Sequence, residues 1–344
     1  MMSGKQRMLI SRLAAGAILM GLSISTPRPL AWGAEAAGEL VPLAHWPAGR
    51  GTGLSDQPER AAGERSAVVL VPGLMAGERS MVALRQRLAD ATIPAAIFRY
   101  DSNVGVEPAA ARLAELLAAT TARQPRLRIT LVTHSMGGLV ARRVLESPDW
   151  ELERVDRLIM IAPPNAGSSL ASLDAAEVQR TLSNMKFDEQ RILIDDRATR
   201  LLDNAIGQFL GDAKQDLAPG SELLQRLDRL ERNPQVRYSI LAGSGGPIPG
   251  WVRTVGQLFL AKQSLQRPEH AQKLKTVFDT ANRDEWIEGL GDGVVATRST
   301  RLNGVSDHLE LDFAHNDISQ SPDTPAARRL VDEVMRRVQA SPAE

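Results

Sequence analysis

Leu131-Val132-Thr133-His134-Ser135-Met136-Gly137-Gly138-Leu139-Val140-Ala141 is the most informative stretch of the chain. An apolar run ends at a serine, and two glycines open an apolar helical pattern behind it. The reading is a buried strand that turns directly into a helix, with Ser135 at the corner. Such a corner forces strained backbone dihedrals on the serine and projects its hydroxyl away from the sheet. Close packing of helix on strand needs small residues there, which Gly137 and Gly138 supply. The helix N-terminus aims unpaired N–H groups and its positive dipole end at developing negative charge. The Met136 N–H, next after the serine, is placed to bind an oxyanion.

Outward from this corner the chain alternates between two periods. Ala67 to Val71 is a continuous apolar run, as in a strand buried on both faces. Arg79 to Asp90 carries Met81, Leu84 and Leu88 at helical spacing. Ala95 to Tyr100, Leu127 to Val132, Val155 to Ala162 and Val236 to Ala242 read as further strands. Leu309, Leu311 and Phe313 alternate within another. Helices are expected over Glu107 to Arg123, Met136 to Glu146 and, with a proline in its first turn, Pro325 to Val338. This order predicts an α/β fold with a mostly parallel central sheet covered by helices on both faces. Two stretches interrupt it, about 168–232 and 243–290. Both are expected to form helical cap or lid insertions.

Ahead of the domain, Lys5, Arg7 and Arg12 precede an apolar run from Leu13 to Ile24, and Ala34-Glu35-Ala36 offers a small-x-small cleavage site. Residues 1–36 therefore read as a signal peptide, with export to a periplasmic or secreted location expected. An uncleaved anchor is the alternative. Residues 37–65, rich in Gly, Pro and Ala, read as a linker or irregular arm. The folded domain is expected over 66–340.

The serine corner resembles the G-x-S-x-G nucleophile elbow of lipases and esterases of the α/β-hydrolase superfamily, with Thr133 where the first glycine is usual. Several other stretches share the resemblance. Pro72-Gly73-Leu74 ends the first core strand where that family has His-Gly, which implies the Leu74 N–H as partner of the Met136 N–H in an oxyanion hole. Ala162 to Ser168 and Asp216 to Ser221 are similar to recurring lipase segments, although Ser221 could equally N-cap a helix over Glu222 to Leu230. The implied activity is carboxylic ester hydrolysis through a Ser-His-Asp triad and an acyl-enzyme intermediate. An acyltransferase or amidase with the same triad remains open, as does an exported binding protein of the same fold.

A serine hydroxyl needs a general base, and the chain has five histidines. In this fold the triad runs Ser, then Asp or Glu, then His. His45 and His134 precede the serine, and His134 belongs to the elbow. His270 lies in a charged segment. The alternation at 307–313 puts His308 on a polar strand face with Glu310 and Asp312. His315 follows that strand in a loop before the last helix, where parallel sheets place their chemistry. It is the expected base. Gly291-Asp292-Gly293-Val294-Val295 resembles the Asp-Gly-Val-Val stretch of many bacterial lipases and makes Asp292 the expected acid, an Asp-Gly hairpin turn being the alternative.

Composition limits the rest. Formal net charge is zero, 4% of residues are aromatic, and Lys and Arg are dispersed, so the signature of a nucleic-acid binder is missing. No cysteine is present, which excludes disulfides and thiolate chemistry. No organic cofactor is required. Some secreted bacterial lipases hold a structural calcium through an aspartate two positions past the catalytic histidine, and Asp317 stands there. A helix-terminus charge or a loop carboxylate is the more ordinary reading, since calcium wants six or more oxygens. The expected partner is a small-molecule ester or lipid, with transient contact at a lipid interface. The sequence does not give the oligomeric state.

Overall fold

The computed structural model describes residues 38–43, 45–46, 65–74, 76, 80–172, 213–251, 253–254, 257–258, 261, 279, 282–319 and 324–340. The expected signal peptide, most of the expected arm, His270 and much of both expected insertions lie outside the described residues.

Seven strands form one sheet: β1 (Glu39–Pro42), β2 (Arg65–Val71), β3 (Ala95–Arg99), β4 (Leu127–His134), β5 (Val155–Ile161), β6 (Arg237–Gly243) and β7 (Asp307–Leu311). Their spatial order is β1-β3-β2-β4-β5-β6-β7. Every neighbouring pair is parallel except β1 with β3. Six helices are described over their full length: α1 (Val82–Asp90), α2 (Val106–Arg123), α3 (Met136–Glu146), α4 (Lys214–Leu217), α5 (Glu222–Arg229) and α6 (Pro325–Gln339).

Because successive side chains of a strand point to opposite faces, burial of both faces explains the apolar runs of the central strands. Ala67, Val69 and Val71 of β2 join Leu131 of β4 and Leu158 of β5 in one core, beneath α2, α3 and α5. Val68 and Leu70 join Val132, Ile159 and Ile161 in a second core on the opposite face, beneath α1 and α6. The result is a three-layer sandwich with both sheet faces dry.

The order of strands also locates a crevice. From β2 the chain first adds β3 on one side, then crosses to place β4 on the other. The loops leaving β2 and β4 therefore diverge at the C-terminal edge. Open parallel sheets bind ligands at such a switch point.

Three expectations need correction. Part of the stretch 37–65 is an edge strand rather than an irregular arm: Leu40 pairs with Phe98 and Val41 with Ile97, while Glu39 opposite Arg99 forms an ion pair. Four residues of mixed polarity carry too little period to announce a strand. The range 168–232 is not all insertion either. Its end, α4 and α5, belongs to the core layer, with Leu217, Leu223, Leu224 and Leu227 buried against the sheet. Those leucines recur at helical spacing, but polar neighbours hid them. From the second range, Ile248, Trp286 and Ile287 are buried in that core too. Trp251 and Leu258, by contrast, are exposed.

Candidate active site

β4 runs two residues beyond its sequence-read end, through Thr133 and His134. This explains how Thr133 replaces a glycine. It still holds extended, paired backbone, in register with Val71 and Met160, where a β-branched residue fits. Ser135 alone absorbs the reversal, with φ 53° and ψ −128°, a left-handed region that non-glycine residues rarely enter. α3 then begins at Met136. A Cβ on Gly137 would stand 2.3 Å from the Val71 carbonyl oxygen and 2.6 Å from that of Pro72, so only glycine lets the helix start this close to β2.

The loop after β2 lies against the serine. A Cβ on Gly73 would meet the Ser135 Cβ at 2.8 Å. Leu74 is buried beside it, and its N–H has no acceptor among the described residues. Met136, as the first residue of α3, has no intrahelical acceptor for its own N–H. Tyr100, just past β3, braces this loop by donating its hydroxyl to the Pro72 carbonyl at 2.8 Å. Burial pushes its phenol pKa up, which keeps it a donor. Sequence reasoning missed Tyr100, because nothing local distinguishes it from a strand-end aromatic.

Asp292 and His315 meet in a buried pair. Nδ1 of His315 lies 2.7 Å from Oδ2 of Asp292, with 3% of the histidine and 2% of the aspartate exposed. A carboxylate only accepts, so Nδ1 carries the proton and the neutral ring keeps an acceptor lone pair at Nε2. Oδ1 of Asp292 accepts the Val294 and Val295 N–H groups at 2.9 and 2.8 Å, and the His315 backbone N–H donates to the Asp292 carbonyl at 2.8 Å. The aspartate is thus anchored by its own turn. Gly243, at the end of β6, has no room for a side chain because the Asp292 Cβ would lie 2.6 Å away. The two residues, 23 apart in sequence, are brought together over the ends of β6 and β7.

His134 also reaches this pair. Its Nε2 lies 3.0 Å from the His315 carbonyl oxygen, and the two imidazoles are 4.6 Å apart, tilted by 44°. His308, expected on an exposed polar face, is half-buried, with Nε2 2.9 Å from the Thr300 hydroxyl. Asp317 is buried, and its Oδ2 accepts the Ala314 N–H at 2.8 Å, which caps the turn after His315. Among the described residues no group of three or more His, Asp or Glu side chains could hold a metal. The Asp317 carboxylate is engaged by backbone in this way, and no proposed step uses a metal there.

A strand–serine–helix corner and two backbone N–H groups beside it, at the switch point of a mostly parallel sheet, with a His-Asp pair on later loops past β6 and β7, define an α/β-hydrolase fold. The chain belongs to the family described as a domain of unknown function, DUF7379, whose model matches residues 52–282. That match includes Ser135 and stops short of Asp292 and His315. No curated protein matches the chain. Among solved structures, the mature lipase BlEst2 of Bacillus licheniformis superposes with a TM-score of 0.51 at 19% identity, over 83% of this chain and 96% of that one. The phospholipase PlaB of Legionella pneumophila gives a TM-score of 0.51 at 17% identity, over 80% of this chain and 60% of that one. At such identities these likenesses show the fold.

Proposed function

We propose that the protein is a serine hydrolase acting on carboxylic esters, with Ser135 as nucleophile, His315 as base and Asp292 as the acid that orients it. The observation that carries this reading is the strained Ser135 backbone at the strand–helix corner, since strain on a nucleophilic side chain at such a turn clusters at reacting sites. The buried His315–Asp292 pair supports it, as do the neighbouring folds of a lipase and a phospholipase.

In the proposed reaction Nε2 of His315 takes the Ser135 hydroxyl proton as Oγ bonds to the ester carbonyl carbon. The carbonyl oxygen gains negative charge between the Leu74 and Met136 N–H groups. The carbon–oxygen bond to the alcohol then breaks, and the alcohol leaves with the proton from Nε2. Water attacks the acyl-enzyme, giving its proton to Nε2. Collapse of the second intermediate frees the acid and returns that proton to Ser135. Asp292 fixes the imidazole tautomer and stabilises the imidazolium formed in each half. No other group is needed to balance the reaction.

The test is hydrolysis of p-nitrophenyl esters of increasing chain length by the wild type and by Ser135→Ala. Loss of at least ~10³-fold in the variant, with folding retained, is the expected result. Equal activity of the two proteins would overturn the assignment, and the chain-length profile separates an esterase from a lipase.

A further inference from the structure

His134 has no part in the proton transfers above, yet it is buried, polar and in contact with the base. A backbone carbonyl can only accept, so the 3.0 Å contact to the His315 oxygen requires the proton on Nε2 of His134. Nδ1 then carries only a lone pair, and it has no hydrogen-bond partner among the described residues. Protonating it would create a buried N–H without an acceptor, on a ring whose centre lies 4.6 Å from that of the ring that becomes positive in the proposed reaction. The His134 ring therefore stays neutral while His315 cycles. Its imidazole pKa, held well below the usual value first by burial and then by His315 beside it, agrees.

The bonds that Asp292 makes to His315 fix the base relative to its own loop, at both ring and backbone. Neither ties the base to the serine. His134 supplies that tie, because it is peptide-bonded to Ser135 while its side chain holds the His315 backbone. We infer that His134 is a positioning residue, which sets the spacing of nucleophile and base through one hydrogen bond between the serine corner and the His315 carbonyl. The inference rests on the hydrolase reading for its kinetic consequence, though the tie can be observed without turnover.

The experiment compares wild type, His134→Phe and His134→Gln. Phenylalanine keeps the ring packing without the donor, whereas the glutamine amide can place an N–H near the position of Nε2. Three quantities are read: kcat and KM on the p-nitrophenyl ester that wild type cleaves best, the thermal midpoint, and the low-field proton resonance of the His315 Nδ1–H. The Phe variant is expected to lose ~10–100-fold in kcat, in line with a misplacement of about an ångström, with KM little changed and the resonance moved or broadened. The Gln variant is expected to recover most of the rate. A Phe variant with wild-type kcat and resonance would overturn the inference. So would a Gln variant as impaired as Phe with the same fall in thermal midpoint, since that pattern is lost packing. If wild type cleaves no ester, the hydrolase reading fails, and the resonance in the Phe variant alone then decides the positioning role.

Discussion

Two carboxylate oxygens of one residue do different work at the proposed acid, and this separates structure from chemistry. Oδ1 of Asp292 holds the turn through Val294 and Val295, while Oδ2 faces His315. Asp292→Asn can keep the first role and fails the second, because its amide turns an N–H toward Nδ1 and enforces the wrong tautomer. We expect about 10⁴-fold loss in kcat with little change in thermal midpoint, measured by ester hydrolysis beside calorimetry. His134 makes a second residue-level prediction. Its folded pKa lies below the unfolded value of about 6.5, so its contribution to stability is complete above pH 6.5. Below that, the unfolded chain takes up a proton that the folded one refuses, and stability is lost as pH falls toward the lowered value. The thermal midpoint of wild type should therefore fall more steeply between pH 6.5 and 5 than that of His134→Gln. Parallel curves would show that His134 does not govern this limb. Ser135 and His315 stood out in the sequence as candidates, one from its local pattern and the other from chain order. His134 was legible only as part of the elbow, because its contact spans 181 residues.

Between elements, the most concentrated polar interaction is the buried cluster that joins α3 to its neighbours. Arg142 is fully buried, with Nε 3.1 Å from Oε1 of Glu146 one turn later. Its other nitrogens donate at 3.2 Å to Asn165 Oδ1, after β5, and to the Leu227 carbonyl of α5. Arg232 closes the cluster at 3.0 Å from Glu146 Oε2. Burial pushes the Glu146 carboxyl pKa up, opposed by Arg142 and Arg232 beside it. Glu146→Ala would leave Arg142 buried with no acidic partner nearer than Asp228 at 3.9 Å. We expect about 3–5 kcal/mol of destabilisation, read from denaturant midpoints. A change under 1 kcal/mol would mean that water or a moved side chain replaces the pair. The sequence shows Arg142 and Glu146 on one helix face, but only the packing of α5 over α3 reveals that this face is dry. α5 itself starts as read, with the Ser221 hydroxyl accepting the Leu224 N–H at 3.2 Å.

For the whole molecule, the sheet order separates stability from the site. β1 lies at one edge, and Asp292 and His315 meet each other over the ends of β6 and β7, toward the other. A chain starting at Arg65 loses the pairing of Leu40 and Val41 with β3 and uncovers that edge. We expect a loss of roughly 2 kcal/mol, or about 5 °C in thermal midpoint, with kcat per folded molecule retained. Loss of kcat in a fully folded truncated protein would show that the edge strand also shapes the site. The five central strands, β2 to β6, were legible because burial on both faces demands unbroken apolar runs. So were the helices whose apolar positions recur at 3.6-residue spacing. The edge strand was not, nor was the core-facing place of the helix at 222–229, whose existence and N-cap were read, since a half-exposed element carries a weaker pattern. By itself the sequence determined the layered α/β architecture, the serine corner and the order of candidate acid and base, because local periodicity and strand–turn–helix chemistry are short-range properties. Only the tertiary structure decided which loop meets which. The Asp292–His315 bond, the Tyr100 brace and the His134 tie join residues 23, 28 and 181 positions apart. Nothing in their immediate neighbours encodes those meetings; the order of the strands, which lines up the ends of β2, β3, β4, β6 and β7 along one edge of the sheet, does.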